Sequence, residues 1–281
     1  MSELLRALAV LSEPPSRQAA RVADVLGLGR APSRVEWTEL FQLELPPYAS
    51  IYLGGEGWIG GEARDRVAGF WRALGLVPPA EPDHLAALLG LYAEAQEAGA
   101  PESVLRALLW EHLLSWLPVY LAKTGELAPD PYRRWAELIE ETLLVEAARL
   151  PSERLVPLHL RETGTVLDPR EAGAEAFLET LLAPARSGVL LTRADVRNAA
   201  RDLHLGLRVG ERSFALRALL AQDAEATLRW LAAEAEQWAE RHRRHGGALA
   251  PVDELWAQRA ERTAALLEEL AQTIGKEVSR V

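Results

Sequence analysis

Residues 102–123 read ESVLRALLWEHLLSWLPVYLAK. Apolar side chains return every three or four residues, the period of a buried helical face, and no alternation of β-branched residues competes with it. His112 follows Leu109 by three residues and precedes Trp116 by four, so the three share one face. Pro118 lacks a backbone donor and is expected to kink or end this helix near Ser115, opening a gap in which a partner segment could lodge. A core histidine beside a core tryptophan is the plainer reading of the same residues.

The helical period extends along the whole chain. Helices are expected near 2–11, 16–27, 33–44, 62–75, 82–97, 102–123, 131–149, 171–183, 193–203, 212–221, 223–244 and 252–276. Ser16, Ser33, Thr192 and Asp223 stand where N-caps belong, and Gly27, Gly75, Gly99, Gly125 and Gly246 where a glycine would close a helix. The fold class is therefore all-α. Two stretches break the pattern. Pro46–Gly61 is rich in aromatic residues and glycine and too long for a plain connector, with Tyr52 and Trp58 as its candidate contacts. Leu150–Arg170 separates an acidic half from a more neutral one, and a boundary is placed inside it, giving domains 1–160 and 161–281.

The formal charge is −10, made up of −8 over residues 1–160 (14 basic, 22 acidic) and −2 over 161–281 (17 basic, 19 acidic). Such a surface repels phosphate backbones, so no nucleic acid is expected as a partner and a cationic peptide suits it better. The chain has no cysteine, which removes disulfides, thiolate nucleophiles and cysteine metal sites. No secretory signal and no run of about twenty apolar residues is present, so the expectation is a cytoplasmic protein without a membrane span. Phosphate-loop, dinucleotide, hydrolase-elbow and zincin signatures are missing, and neither an enzyme nor a bound cofactor or metal is expected.

Glu81-Pro82-Asp83-His84-Leu85 is expected to open a helix, with Pro82 and the carboxylates in the first turn. Capping explains the acids. A cationic imidazole is disfavoured there, so a neutral His84 held by a carboxylate fits better. Glu81 and His84 also have the spacing of di-iron ligands, but the residue three before each other histidine is not acidic, and that reading fails. His242 and His245 end a helix, where basic residues suit the dipole. Residues 192–220 are shaped like a helix-turn-helix with a Leu-Gly-Leu turn, and 184–222 carry seven Arg against three acids.

The motifs 81–85 and His112-Leu-Leu-Ser-Trp116-Leu-Pro118 resemble those of the TorD/DmsD/NarJ family of redox-enzyme maturation chaperones. The first is similar to the family's hinge motif and the second to its His-Leu pair followed by Trp-x-Pro, and the likeness covers about residues 35–150. The resemblance implies a TorD-like helical bundle, here with a C-terminal helical extension. It implies a chaperone that binds the leader or apo-form of a molybdopterin oxidoreductase catalytic subunit during cofactor insertion and before export, with a homodimer possible. Client contacts are expected at Asp83, His84 and Glu81, and at His112, Trp116 and Pro118 lining an adjacent cleft with Tyr52 and Trp58. The alternatives are a transcriptional regulator reading DNA through 192–220 and a generic helical scaffold.

Overall fold

The computed structural model describes residues 1–54, 58–152 and 156–278. Among them no strand forms, and the only sheet-like pairing is an isolated antiparallel bridge between Tyr48 and His84. The all-α expectation is met. The helices are α1 (Ser2–Ser12), α2 (Arg17–Val25), α3 (Arg34–Trp37), α4 (Ala49–Leu53), α5 (Gly61–Ala73), α6 (Leu85–Glu97), α7 (Glu102–Ala107), α8 (Leu117–Leu127), α9 (Asp130–Arg149), α10 (Leu158–Glu162), α11 (Pro169–Leu182), α12 (Pro184–Ser187), α13 (Arg193–Asp202), α14 (Arg212–Gln222), α15 (Ala224–His242) and α16 (Val252–Val278).

All four expected N-caps form: Ser16, Ser33, Thr192 and Asp223 accept the backbone N–H of Ala19, Glu36, Asp195 and Ala226. Ser33–Glu36 and Thr192–Asp195 are reciprocal capping boxes. Several expectations need correction. The 33–44 helix widens into a π-type turn over Thr38–Glu44. The 102–123 helix divides into α7, a π-type segment Leu108–Leu113 and α8, with Pro118 in the first turn of α8, where its missing donor costs nothing. Gly125 lies inside α8 and closes nothing. The Pro46–Gly61 stretch, in which no helix was expected, holds α4, and its residues 55–57 lie outside those described.

The chain forms two compact units. The first comprises Met1–Gly54, Trp58–Leu160 and Gly246–Val252; the second Arg161–His245 and the chain from Asp253 onward. In the first unit α1 packs along α6, and Arg6 in the middle of α1 pairs with Glu97 at the end of α6. Three buried indoles find a carbonyl: Trp37 donates to Ser12 (3.1 Å), Trp110 to Leu150 (2.7 Å) and Trp135 to Leu8 (2.9 Å). Glu146, inside on α9, is satisfied by Tyr92 and Gln96 of α6 and by Arg149.

In the second unit the His242 ring lies between Trp238 (5.3 Å) and Trp256 (5.7 Å), and its Nε2 meets the Gly188 carbonyl at 2.7 Å. Gly188 has φ +71°, and a Cβ there would stand 2.4 Å from the Ala260 nitrogen, so only glycine fits. Val196, Ala199 and Ala200 of α13 pack on Ala215 and Leu219 of α14. The two helices are joined not by a short Leu-Gly-Leu turn but by nine residues, 203–211, longer than the three or four of a DNA-reading helix-turn-helix.

Candidate functional site: the 81–85 hinge

The segment Glu81–Leu85 does not form the first turn of α6, which starts at Leu85. It makes a turn, closed by the His84 N–H on the Glu81 carbonyl (3.3 Å), beside Pro47–Ser50. Ala49 donates to the Asp83 carbonyl (3.0 Å) and Leu85 to the Pro47 carbonyl (2.8 Å), giving the Tyr48–His84 bridge. The Asp83 carboxylate accepts the Ser50 N–H at 3.1 Å, at the start of α4. It thus caps a helix, but one more than thirty residues away. Ser50 Oγ in turn accepts the Gly60 N–H at 3.0 Å, which anchors the chain just after Trp58 and Ile59.

His84 is the N-cap of α6. Its Nδ1 accepts the Ala86 N–H at 3.1 Å, which requires a neutral ring, and burial holds its pKa below the usual value against the pull of Glu13, Glu81 and Asp83. The expectation that capping does not explain His84 is therefore corrected: a neutral imidazole is the cap. The nearest carboxylate, Glu13, is 3.6 Å from Nδ1. The Tyr48 ring meets the His84 ring edge-on at 4.9 Å, and its hydroxyl donates to Glu81 at 3.0 Å. Burial, then that bond, pushes the Tyr48 phenol up to about 12.

Beneath the hinge, Tyr52 donates to the Pro46 carbonyl (2.9 Å) and stacks on Trp116 at 5.2 Å. Trp116 donates to the His112 carbonyl (2.9 Å), and the His112 ring lies 4.7 Å from that of Phe70. Burial, then the charge of Arg66, takes the His112 pKa down to about 4.

Of the residues read from sequence, Asp83 (1 % exposed), His84 (8 %), His112, Trp116, Pro118 and Tyr52 are buried, whereas Glu81 is exposed and Trp58 is 72 % exposed. At the Pro118 break His112, Trp116 and Pro118 are buried, with the His112 and Trp116 rings packed on Phe70, Tyr52 and Tyr120, where the sequence suggests an open cleft. Tyr48, Ser50, Glu13 and Gly60 belong to the site but carry no local signal beyond the aromatic and glycine content of 46–61. Asp83 and His84, expected as client contacts, are thus closed off from solvent. Asp83→Ala is therefore expected to cost about 1–3 kcal/mol of first-unit stability, because it leaves the buried Ser50 N–H without an acceptor. Denaturant unfolding followed by circular dichroism measures it, and Asp83→Asn should recover most of the loss.

Among the described residues no cluster of three or more His, Asp or Glu is placed to hold a metal, and no helix is long and apolar enough to cross a membrane. His245 Nδ1 sits 2.9 Å from Asp253, and His242 is taken by Gly188, so the two do not converge.

The helical arrangement and the buried hinge define the class as an all-α protein. Residues 16–122, 107 of the 281, match the family model described as nitrate reductase delta subunit, so the likeness to the TorD/DmsD/NarJ chaperones is borne out over that stretch. That family is one of molybdoenzyme maturation chaperones, not of catalysts. No curated protein matches the chain.

Proposed function

We propose that the chain is a cytoplasmic, non-catalytic chaperone that binds the leader or apo-form of a molybdopterin oxidoreductase catalytic subunit before export. We further propose that its first unit, residues 1–160 in essence, is the chaperone body and that 161–281 form a helical extension. The family match over 16–122, which contains both motifs, carries this reading. The groups at the surface of the hinge serve it: the exposed Glu81, Trp58 and Ile59 and the half-buried Tyr48 meet the client, while Asp83, His84, Tyr52 and Trp116 hold that surface in place.

Magnitudes decide what such a surface recognises in a twin-arginine leader, which joins cationic residues to an apolar stretch. Each leucine-sized side chain taken from water contributes roughly 1.5–3 kcal/mol, and an exposed ion pair about 0–1 kcal/mol, screened by salt. Three or four apolar side chains outweigh both arginines. Calorimetric titration with three synthetic leaders tests this. Replacing the arginine pair by lysines is expected to change affinity little, and making the apolar stretch polar to abolish binding. The double variant Trp58→Ala, Ile59→Ala is expected to weaken the native leader about tenfold or more. A larger loss from the lysine pair than from the polar stretch would make recognition electrostatic. No binding by any leader would remove leader recognition from the function and leave apoenzyme binding as the reading to test.

A further inference from the structure

The connector between α13 and α14 presents a feature that the leader reading does not use. Among the described residues, three large apolar side chains are exposed within eight positions: Leu207 (41 %), Val209 (95 %) and Phe214 (48 %). The connector is held at both ends. Gly206 donates to Gln222 Oε1 and accepts from Gln222 Nε2, each at 2.8 Å. A Cβ at Gly210 would stand 2.9 Å from the Phe214 ring, so the glycine lies directly under that ring. Leu207, Arg208 and Val209, the tip of the connector, stand exposed between these two anchors.

Arginines outnumber acids in the sequence around the tip. Val196, Ala199 and Ala200 turn one face of α13 to α14, which leaves Arg193, Arg197 and Arg201, four residues apart, exposed on the other and leading toward the tip. Arg208 is exposed on the tip itself. Arg201 is shared with Asp202 (3.2 Å) and Arg217 with Glu175 (2.5 Å), and the other acids of residues 184–222 are the buried Asp195 and the exposed Glu211. Residues 184–222 still sum to +4 in a chain of −10.

An aliphatic tip backed by arginines is the make-up of a segment that seats in the headgroup layer of a bilayer. Nucleic acid would engage the arginines but offers Leu207 and Val209 nothing. A twin-arginine leader is cationic and would be repelled. We infer that the 203–214 segment docks this protein on anionic lipid surfaces, reversibly, with Leu207, Val209 and Phe214 entering the headgroup layer and Arg208 beside the lipid phosphates. Docking is shallow and salt-sensitive, because each arginine adds only a few-fold to affinity within a Debye length of the surface.

Flotation of the full chain with vesicles of phosphatidylglycerol and phosphatidylcholine in equal parts, at low salt, tests the inference. The protein is expected to float with these vesicles, not with phosphatidylcholine alone, and to be released by high salt. Val209→Asp with Arg208→Glu is expected to lower the bound fraction about tenfold while leaving far-ultraviolet circular dichroism unchanged, since neither side chain is packed. The chain has no cysteine, so Val209→Cys takes a single environment-sensitive dye, whose emission is expected to shift blue on anionic vesicles. Absence of flotation, equal flotation with neutral vesicles, or a dye that does not shift while the protein floats overturns the inference. So does retardation of duplex DNA that the Val209→Asp change leaves intact while vesicle binding is absent. Leader affinity measured on the same variants is expected to be unchanged, which separates failure of this docking from failure of the chaperone reading.

Discussion

Trp116→Ala is expected to lower the stability of the first unit by about 3–5 kcal/mol, the range for removing a fully buried tryptophan. The indole is 0 % exposed, stacks on Tyr52 at 5.2 Å with planes 16° apart, and lies 5.4 Å from Tyr120. Its N–H closes a bond to the His112 carbonyl at the end of a π-type turn. Truncation therefore removes a ring platform and a buried donor together, and opens a cavity that Tyr52 cannot fill while its hydroxyl stays on Pro46. Trp116→Phe keeps the platform and loses the donor, so it is expected to cost less than half as much. Urea unfolding of the two variants measures the difference. A loss below about 1 kcal/mol for the alanine variant would mean that the side chain is not closed in, and the cleft read from the sequence would then be a binding surface after all.

The outcome bears on how the two motifs work. If Trp116 is platform, its effect on a client passes through Tyr52 to the Pro46 carbonyl, and so to the segment that pairs with Asp83 and His84. Leader affinity of Trp116→Phe should then be close to that of the unaltered chain. A contact residue would lose affinity with either substitution.

The helices were legible because their signals are local. Ser33 with Glu36 and Thr192 with Asp195 mark starts within four residues, and both pairs form the reciprocal bonds that their spacing suggests. The π-type turns were not legible, since a change from an i−4 to an i−5 bond, as from Leu45 to Leu40, leaves the apolar period almost intact. Pro118 shows a different limit. Its chemistry permits either a kink in one helix or the first turn of the next, and packing around Trp116 selected the second. At the hinge, both segments drew notice from sequence, 46–61 for its aromatic residues and 81–85 for its acids and histidine. Their partnership did not, because the Asp83–Ser50 bond joins residues 33 apart with no periodicity to announce it. Local reading assigned Asp83 to the helix that follows it, whereas the carboxylate caps the one brought beside it by the fold.

Acid is expected to weaken the first unit between pH 6.5 and about 4 by a margin traceable to His112. Burial, then the Arg66 charge, depresses its folded-state pKa to about 4, whereas an unfolded-chain histidine titrates near 6.5. Above 6.5 both states hold a neutral ring and the group is indifferent to pH. As the pH falls through 6.5 the unfolded chain takes up a proton that the folded one refuses, so stability is lost until about pH 4, where both are protonated. A gap of roughly 2.5 units corresponds to about 3 kcal/mol at most, at 1.36 kcal/mol per unit. His84, shifted in the same direction, adds to the loss and carries a structural signature of its own. A proton on Nδ1 ends its acceptance of the Ala86 N–H and favours Glu13, 3.6 Å away, so the start of α6 loosens as the ring charges. Carboxylates paired in the fold, Glu36 among them with a pKa near 2, also lose stability on acidification, so the total slope does not isolate a histidine. The difference between variants does. His112→Gln keeps a polar side chain of similar size without the titration, and its stability is expected to fall less steeply than that of the unaltered chain, by close to one proton, between pH 6.5 and 4. Urea midpoints at half-unit pH intervals give the two slopes. Identical slopes would mean that His112 is already protonated in the fold or that its ring reaches water. A difference near two protons would mean that the substitution also frees His84, coupling the two motifs through Tyr52 and Trp116.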